Sequence, residues 1–221
     1  MTIQPTRIDD VGERELLRRL QVRIPEAPGV PVGVGDDTAL VEVLSPALVT
    51  ADSMVEDVHF RRESSPARLL GRKALAINLS DVAAMGGVGR HAIVSLCLPP
   101  DLDLAWVDSL YDGLLERAAE AGVGIIGGNV SRSPGPIVID VTLIGESRGP
   151  LLRSGADPGD LVVVTGELGA AAEGVRLLDE GARLDENGEL AAAPPWTDPL
   201  GEAVELCVWA QLDPRPPLVL A

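Results

Sequence analysis

Between Ser65-Pro66 and Gly86-Gly87 the sequence carries one long helical segment whose middle, Ala74 to Ala84, is rich in small residues. Ser65 as a cap and Pro66 in the first turn open it, and the paired glycines stop it. Small side chains let such a helix lie close against a sheet, so its neighbours in the chain must supply strands. They do. His91 to Leu98 reads as a strand, Leu104 to Ala121 as a helix, Val123 to Gly128 as a strand, and Pro136 to Ser147 as another beyond a turn region at Ser131 to Gly135. Upstream, Gly12 to Gln21 places Leu16, Leu17 and Leu20 at helical spacing, and the Pro and Gly cluster from Pro25 to Gly35 is a loop. Ala39 to Leu44 and Ala47 to Ala51 flank Ser45-Pro46 as a predicted hairpin. The pattern predicts an α+β sandwich.

After Gly149-Pro150 the chain starts again. It offers a strand at Leu161 to Thr165, a helix at about Leu168 to Leu178, a polar linker from Asp179 to Pro199 and a helix at about Glu202 to Leu212. One strand and two helices cannot close a sheet-based core. Residues 1–149 are therefore expected to form one domain, and 150–221 the first part of an incomplete second α+β domain.

The excess of 34 acids over 18 Lys and Arg, a net charge of −16, argues against nucleic acid or an anionic membrane as partner. No run approaches a membrane span, and the charged N-terminus is no signal peptide, so a cytoplasmic setting is expected. Aromatics are 2% of the chain, leaving few rings to stack on a base. Cys97 and Cys207 have no metal or redox spacing and are expected to be small buried hydrophobes.

Among so many acids, those that converge matter. If Ser45-Pro46 is a two-residue turn, Asp37 and Asp52 become diagonal neighbours on one face, about 7–8 Å apart, close enough to share a cation. A slip by one residue would favour Asp36 instead. Asp81 stands among apolar and small residues with Asn78 one turn away, so it is either paired or bound to a metal. Two such carboxylates repel by about 4 kcal/mol at about 4 Å and an effective dielectric of about 20, and cations would relieve this. Gly127-Gly128-Asn129 ends a strand, where glycine lets backbone approach a phosphate, although it is neither a P-loop nor a dinucleotide fingerprint.

Four segments taken together, Gly33-Val34-Gly35-Asp36-Asp37, Thr50-Ala51-Asp52-Ser53-Met54-Val55-Glu56-Asp57-Val58-His59-Phe60, Asn78-Leu79-Ser80-Asp81-Val82-Ala83-Ala84-Met85-Gly86 and Arg153-Ser154-Gly155-Ala156-Asp157-Pro158-Gly159-Asp160, resemble the thiamine-monophosphate kinases of the aminoimidazole ribonucleotide synthetase superfamily. The resemblance implies that superfamily's sandwich as the N-terminal, ATP- and magnesium-binding and dimerising domain. It implies several Mg2+ ions on Asp37, Asp52 and Asp81, with Thr50 and Ala51 beside them. His59 would meet thiamine monophosphate, and Tyr111, Gly128 and Arg153 would meet ATP. No side chain acts as acid or base in this scheme, because the acceptor phosphate is itself the nucleophile. A homodimer with the ATP site near its interface is implied too. Two departures stand out: Asn129 replaces the usual Asp, leaving a neutral amide as metal ligand, and no Ser-Asp-Gly-Leu motif occurs. A fragment, a selenophosphate synthetase or hydrogenase-maturation type of enzyme, or a non-catalytic nucleotide-binding dimer module are the alternatives.

Overall fold

Ile139, Val141 and Leu143 alternate with half-exposed Val138, Asp140 and Thr142, and this period of two makes one face of a strand apolar. In the computed structural model, which describes residues 6–35, 38–43, 46–166, 168–185, 188–198 and 200–216, that strand lies inside a four-stranded sheet. In chain order the elements are α1 (Ile8–Gln21), β1 (Ala47–Val55), α2 (Ala67–Ala84), β2 (Val88–Leu98), α3 (Leu104–Ala121), β3 (Gly124–Arg132) and β4 (Val138–Glu146). The strand order is β1-β4-β2-β3, with β2 and β3 parallel across the α3 crossover and the other pairs antiparallel. Leu75, Leu79, Val94, Leu96, Leu110, Leu114, Ile139 and Leu143 form the core between sheet and helices.

The small-residue helix does pack closely, and on its helical neighbour as well as on the sheet. A Cβ on Gly71 of α2 would stand 2.0 Å from the Leu110 carbonyl oxygen, and one on Gly113 of α3 would stand 1.8 Å from that of Arg68. The two backbones touch through a reciprocal pair of glycines. Asp103 caps α3 by accepting from the Ala105 N–H at 2.9 Å, and Gly122 ends it in the left-handed region, where glycine carries no steric cost.

Beyond the sheet come α4 (Ala170–Asp179), the short pair β5 (Arg183–Leu184) and β6 (Leu190–Ala192), and α5 (Gly201–Leu212). Leu177, Leu178, Leu184, Val204, Val208 and Leu212 make a second apolar cluster, joined by Leu69 of α2. A buried charge cluster ties this part to the sheet domain. Asp213, just after α5, receives Arg72 Nε at 3.1 Å and Arg117 Nη2 at 2.5 Å.

Several expectations are corrected. β1 pairs with β4 and not with residues 39–43, because a full nine-residue register with Val138–Glu146 outweighs a short local hairpin; Leu40 bridges to Val32 instead. Leu44 and Ser45 lie outside the described residues. Pro66, not Ser65, occupies the N-cap of α2, with no side-chain cap. Helix α1 starts earlier, at Ile8, and kinks at Gly12. β3 continues to Arg132 because β2 pairs with it along its whole length. Leu161 to Thr165 is not a strand: Leu161, Val162, Val163 and Val164 are 57–97% exposed and find no partner strand among the described residues. The linker after Asp179 is not wholly irregular, since it holds β5 and β6. Both cysteines are half-buried rather than buried. Among the described residues no helix is long and apolar enough to cross a membrane.

Candidate functional site

Where β1 ends, the chain makes a tight turn that presents His59. The amides of Val58 and His59 donate to the Val55 carbonyl at 3.1 and 2.9 Å, and that of Asp57 donates to Phe60 O at 2.8 Å. Asp57 adopts φ +65°, the only non-glycine in the left-handed region among the described residues; Asp tolerates it better than most. Buried Glu56 anchors the turn, accepting from the Ile137 amide at 3.0 Å and from Arg62 at 2.7 Å. The Val55 amide donates to His59 Nδ1 at 3.0 Å. In the neutral ring the proton is then on Nε2, which is left to donate outward. His59 lines a cavity of about 150 Å³ with Arg61, Ser64, Lys73, Leu178 and Leu212.

Along β1 the side chains of Thr50 and Asp52 point toward α2, and Thr50 Oγ1 donates to Asp81 Oδ2 at 2.9 Å. Burial pushes the Asp52 carboxyl above its ordinary value, and the negative charges of Asp81 and Asp140 push the same way; His59 opposes them. Asp52, Asp81 and Thr50 are thus brought together. Asp81 itself is exposed, so the premise that it is a buried carboxylate is corrected: α2 turns it to the rim, and its buried neighbour is Asn78. Asn78 donates to Ala74 O at 3.1 Å, while its own Oδ1 has no partner among the described residues.

Asn129 is elsewhere. Ser53 pairs with Asp140, Asp140 with Ser95, and Ser95 with Asn129, so these four residues make one polar row across the face turned away from α2. Ser53 donates to Asp140, and Asn129 Nδ2 to Ser131 Oγ at 2.9 Å. Asp52 lies in the adjoining row, which ends at Gly128, and three strand spacings separate the two edges, about 14 Å. Asp36 and Asp37 lie outside the described residues, so the geometry that joined Asp37 to Asp52 rests on a hairpin not formed by the residues described. Ala51 is exposed on the face opposite Asp52. Among the described residues no three His, Cys, Asp or Glu side chains converge closely enough to hold a metal ion by themselves.

Gly128 joins the Gly33–Gly35 loop around a cavity of about 430 Å³ walled by Ile93, Ile126 and Ile144. Its size falls in the range of about 300–1,000 Å³ usual for small-molecule sites. Tyr111 is packed in the core, its hydroxyl pushed up to about 12 by burial, and Arg153 is exposed; neither lines this cavity. Sequence reasoning passed over Asp140, a lone acid in an apolar strand, and Lys73, the single lysine of the chain.

Residues 35–147 match the family described as AIR synthase related protein, N-terminal domain. The thiamine-monophosphate kinase of Bacillus subtilis is 40% identical over 77% of this chain and 54% of its own length; that of Rhodopirellula baltica is 35% identical over 91% and 65%. The crystal structure of the thiamine-monophosphate kinase from Stenotrophomonas maltophilia superposes with a TM-score of 0.75 at 34% identity, covering 93% of this chain and 62% of that one. AaThiL complexed with AMPPCP and TMP superposes with a TM-score of 0.68 at 32% identity, covering 97% and 62%. The chain spans about half to two thirds of these relatives. With its mixed α+β sandwich and these relatives, the chain belongs to the AIR synthase related family, on the thiamine-monophosphate kinase side of it.

Proposed function

We propose that this chain supplies the nucleotide and metal half of a thiamine-monophosphate kinase, which passes the terminal phosphoryl group of ATP to the phosphate of thiamine monophosphate. The observation that carries this reading is the placement of Asp52 beside Asp81, with His59 near enough to act on the Asp52 charge. Asp52, whose proton affinity is raised first by burial and then by the charge of Asp81, stands near an imidazole that lines a cavity and has Nε2–H left to donate. The relatives' names and the AMPPCP and TMP of the AaThiL complex point the same way.

The donors suit Mg2+. Carboxylates and a hydroxyl are hard oxygen ligands, and a cation would relieve the strain that burial and like charge put on Asp52. Asp52 and Asp81 would hold it, with Thr50 orienting Asp81. When bound, magnesium neutralises charge on the transferring phosphoryl group. The chain itself positions. His59 orients the acceptor through Nε2–H, and the Gly33–Gly35 and Gly127-Gly128 backbones offer a nucleotide a close approach. The acceptor is already an anion at neutral pH, so no side chain needs to remove a proton from it.

Asn129 stands at the far edge of the sheet from Asp52, and its place in the metal set, the homodimer, and Tyr111 and Arg153 as ATP contacts rest on the resemblance alone. Incubating the protein of the complete natural reading frame with ATP, MgCl2 and thiamine monophosphate tests the reading. Thiamine diphosphate is the expected product, and ATP binding without any product would favour a non-catalytic module instead.

A further inference from the structure

Of the chain's 18 basic residues only Lys73 is a lysine; the others are arginines. The arginines of the same helix, Arg68 and Arg72, are occupied by Glu116, Glu120 and Asp213. Lys73, one residue on, is half-buried and makes no ion pair or side-chain hydrogen bond among the described residues. It lines the His59 cavity. Burial lowers its ammonium below the ordinary lysine range, and no carboxylate is near enough to raise it again. The other charges facing that cavity are Asp57, Arg61 and Asp179, of which Arg61 and Asp179 already pair with each other.

A half-buried ammonium without a counter-ion is costly, and the fold keeps it at a cavity where an anion can enter. Lysine is a compact point charge suited to a phosphate oxygen, whereas arginine favours flat, two-pronged contacts. His59, with Nε2–H left to donate, lines the same space as a further donor; the Ser64 hydroxyl there already donates to the Arg61 carbonyl at 3.4 Å. At about 150 Å³ the cavity falls below the roughly 300 Å³ at which sites for whole drug-sized ligands begin, so it suits a phosphate group or a single ring better than a nucleotide.

We propose that Lys73 is a phosphate-binding residue of the His59 cavity, and that its ligand is the phosphate of the acceptor ester rather than a phosphate of the nucleotide. The identity of the ester rests on the kinase reading above; the phosphate itself does not.

Because the chain has one ε-amine, amine-selective labelling followed by peptide mass spectrometry reads Lys73 directly. The arms are thiamine monophosphate, unphosphorylated thiamine, inorganic phosphate, and AMPPCP with Mg2+. Thiamine monophosphate is expected to slow Lys73 labelling, inorganic phosphate to do so at higher concentration, and thiamine to leave it unchanged. In parallel, Lys73→Met should weaken thiamine monophosphate binding about 10- to 100-fold, the loss of one charge-assisted hydrogen bond, with thiamine binding unchanged. Lys73→Arg should recover part of it. Protection by AMPPCP but not by the ester would overturn the assignment to the acceptor. Labelling indifferent to every phosphate, or a Lys73→Met variant that binds the ester like the parent, would overturn the phosphate site itself. Protection by inorganic phosphate with none by thiamine monophosphate would uphold Lys73 as a phosphate ligand and remove the kinase's acceptor.

Discussion

Thr50 Oγ1 donates to Asp81 Oδ2 at 2.9 Å, and this bond fastens the edge strand β1 to the last turns of α2. The pair lies at the rim, so its net worth to folding is small. Thr50→Val is expected to change stability by no more than about 1 kcal/mol, while freeing Asp81 to wander. The magnesium concentration giving half-maximal activity should rise, and thermal melts with and without Mg2+ should show a smaller metal-induced gain. A variant that lost stability without any change in its magnesium response would assign the bond to structure alone.

Asp52 links stability to pH. Its folded-state pKa lies above the unfolded value of 3.8, first because of burial and then because of Asp81 and Asp140. The native state therefore holds its proton more tightly than the unfolded chain does, and stability falls as pH rises from 3.8 through the raised value. Asp52→Asn removes that loss. In chelator, urea unfolding should show the Asp52→Asn variant more stable than the parent at neutral pH, with the gap closing toward 3.8. A less stable variant at neutral pH would contradict this.

Asp213 neutralises Arg72 and Arg117 in the interior, where it is 4% exposed. Asp213→Ala leaves two guanidinium groups without their shared partner, and should cost about 3–5 kcal/mol in denaturant unfolding. A cost below about 1 kcal/mol would mean that Glu116 and Glu120 suffice for Arg72 and Arg117.

The glycine pair between α2 and α3 allows no side chain. Gly113→Ala would press a methyl group into the Arg68 carbonyl and force the helices apart, at a cost of about 1–3 kcal/mol or more. Gly135, where nothing lies within 4 Å, is the control, and its alanine variant should melt close to the parent.

Asn129 offers a neutral carbonyl where the resemblance to thiamine-monophosphate kinases implies a carboxylate. Asn129→Asp adds charge at the same reach, so the magnesium requirement should fall several-fold in a metal titration of activity. An unchanged titration would remove Asn129 from the metal set.

Much of the fold could be read from the residues. The helices around Leu75, Leu110 and Leu177, and the strands at His91 and Val141, follow from local periodicity and Gly stops. What escaped was partnership. Nothing near Ala47 says that its strand prefers Glu146, nearly a hundred residues on, to the segment just before Ser45. For the same reason Leu161 to Thr165, with strand composition, stays unpaired: composition favours a strand, but a neighbour makes one. At the site, Thr50, Asp52 and Asp81 stand together, though not through the hairpin or the buried Asp81 expected from the sequence, since β1 pairs with β4 and Asp81 is exposed. Asp140 and Asn129 share a row only through two strand pairings, a relation with no local trace. Lys73 was visible as a residue, yet its lack of an acidic partner was not.

The distance across the sheet between Asp52 and Asn129 has a consequence for mass action. If a homodimer joins Asp52 of one copy to Asn129 of the other at the same ions, the donor set is complete only in associated protomers. Metal occupancy would then rise with protein concentration at fixed metal, and magnesium would in turn draw protomers together, each titration shifting the midpoint of the other.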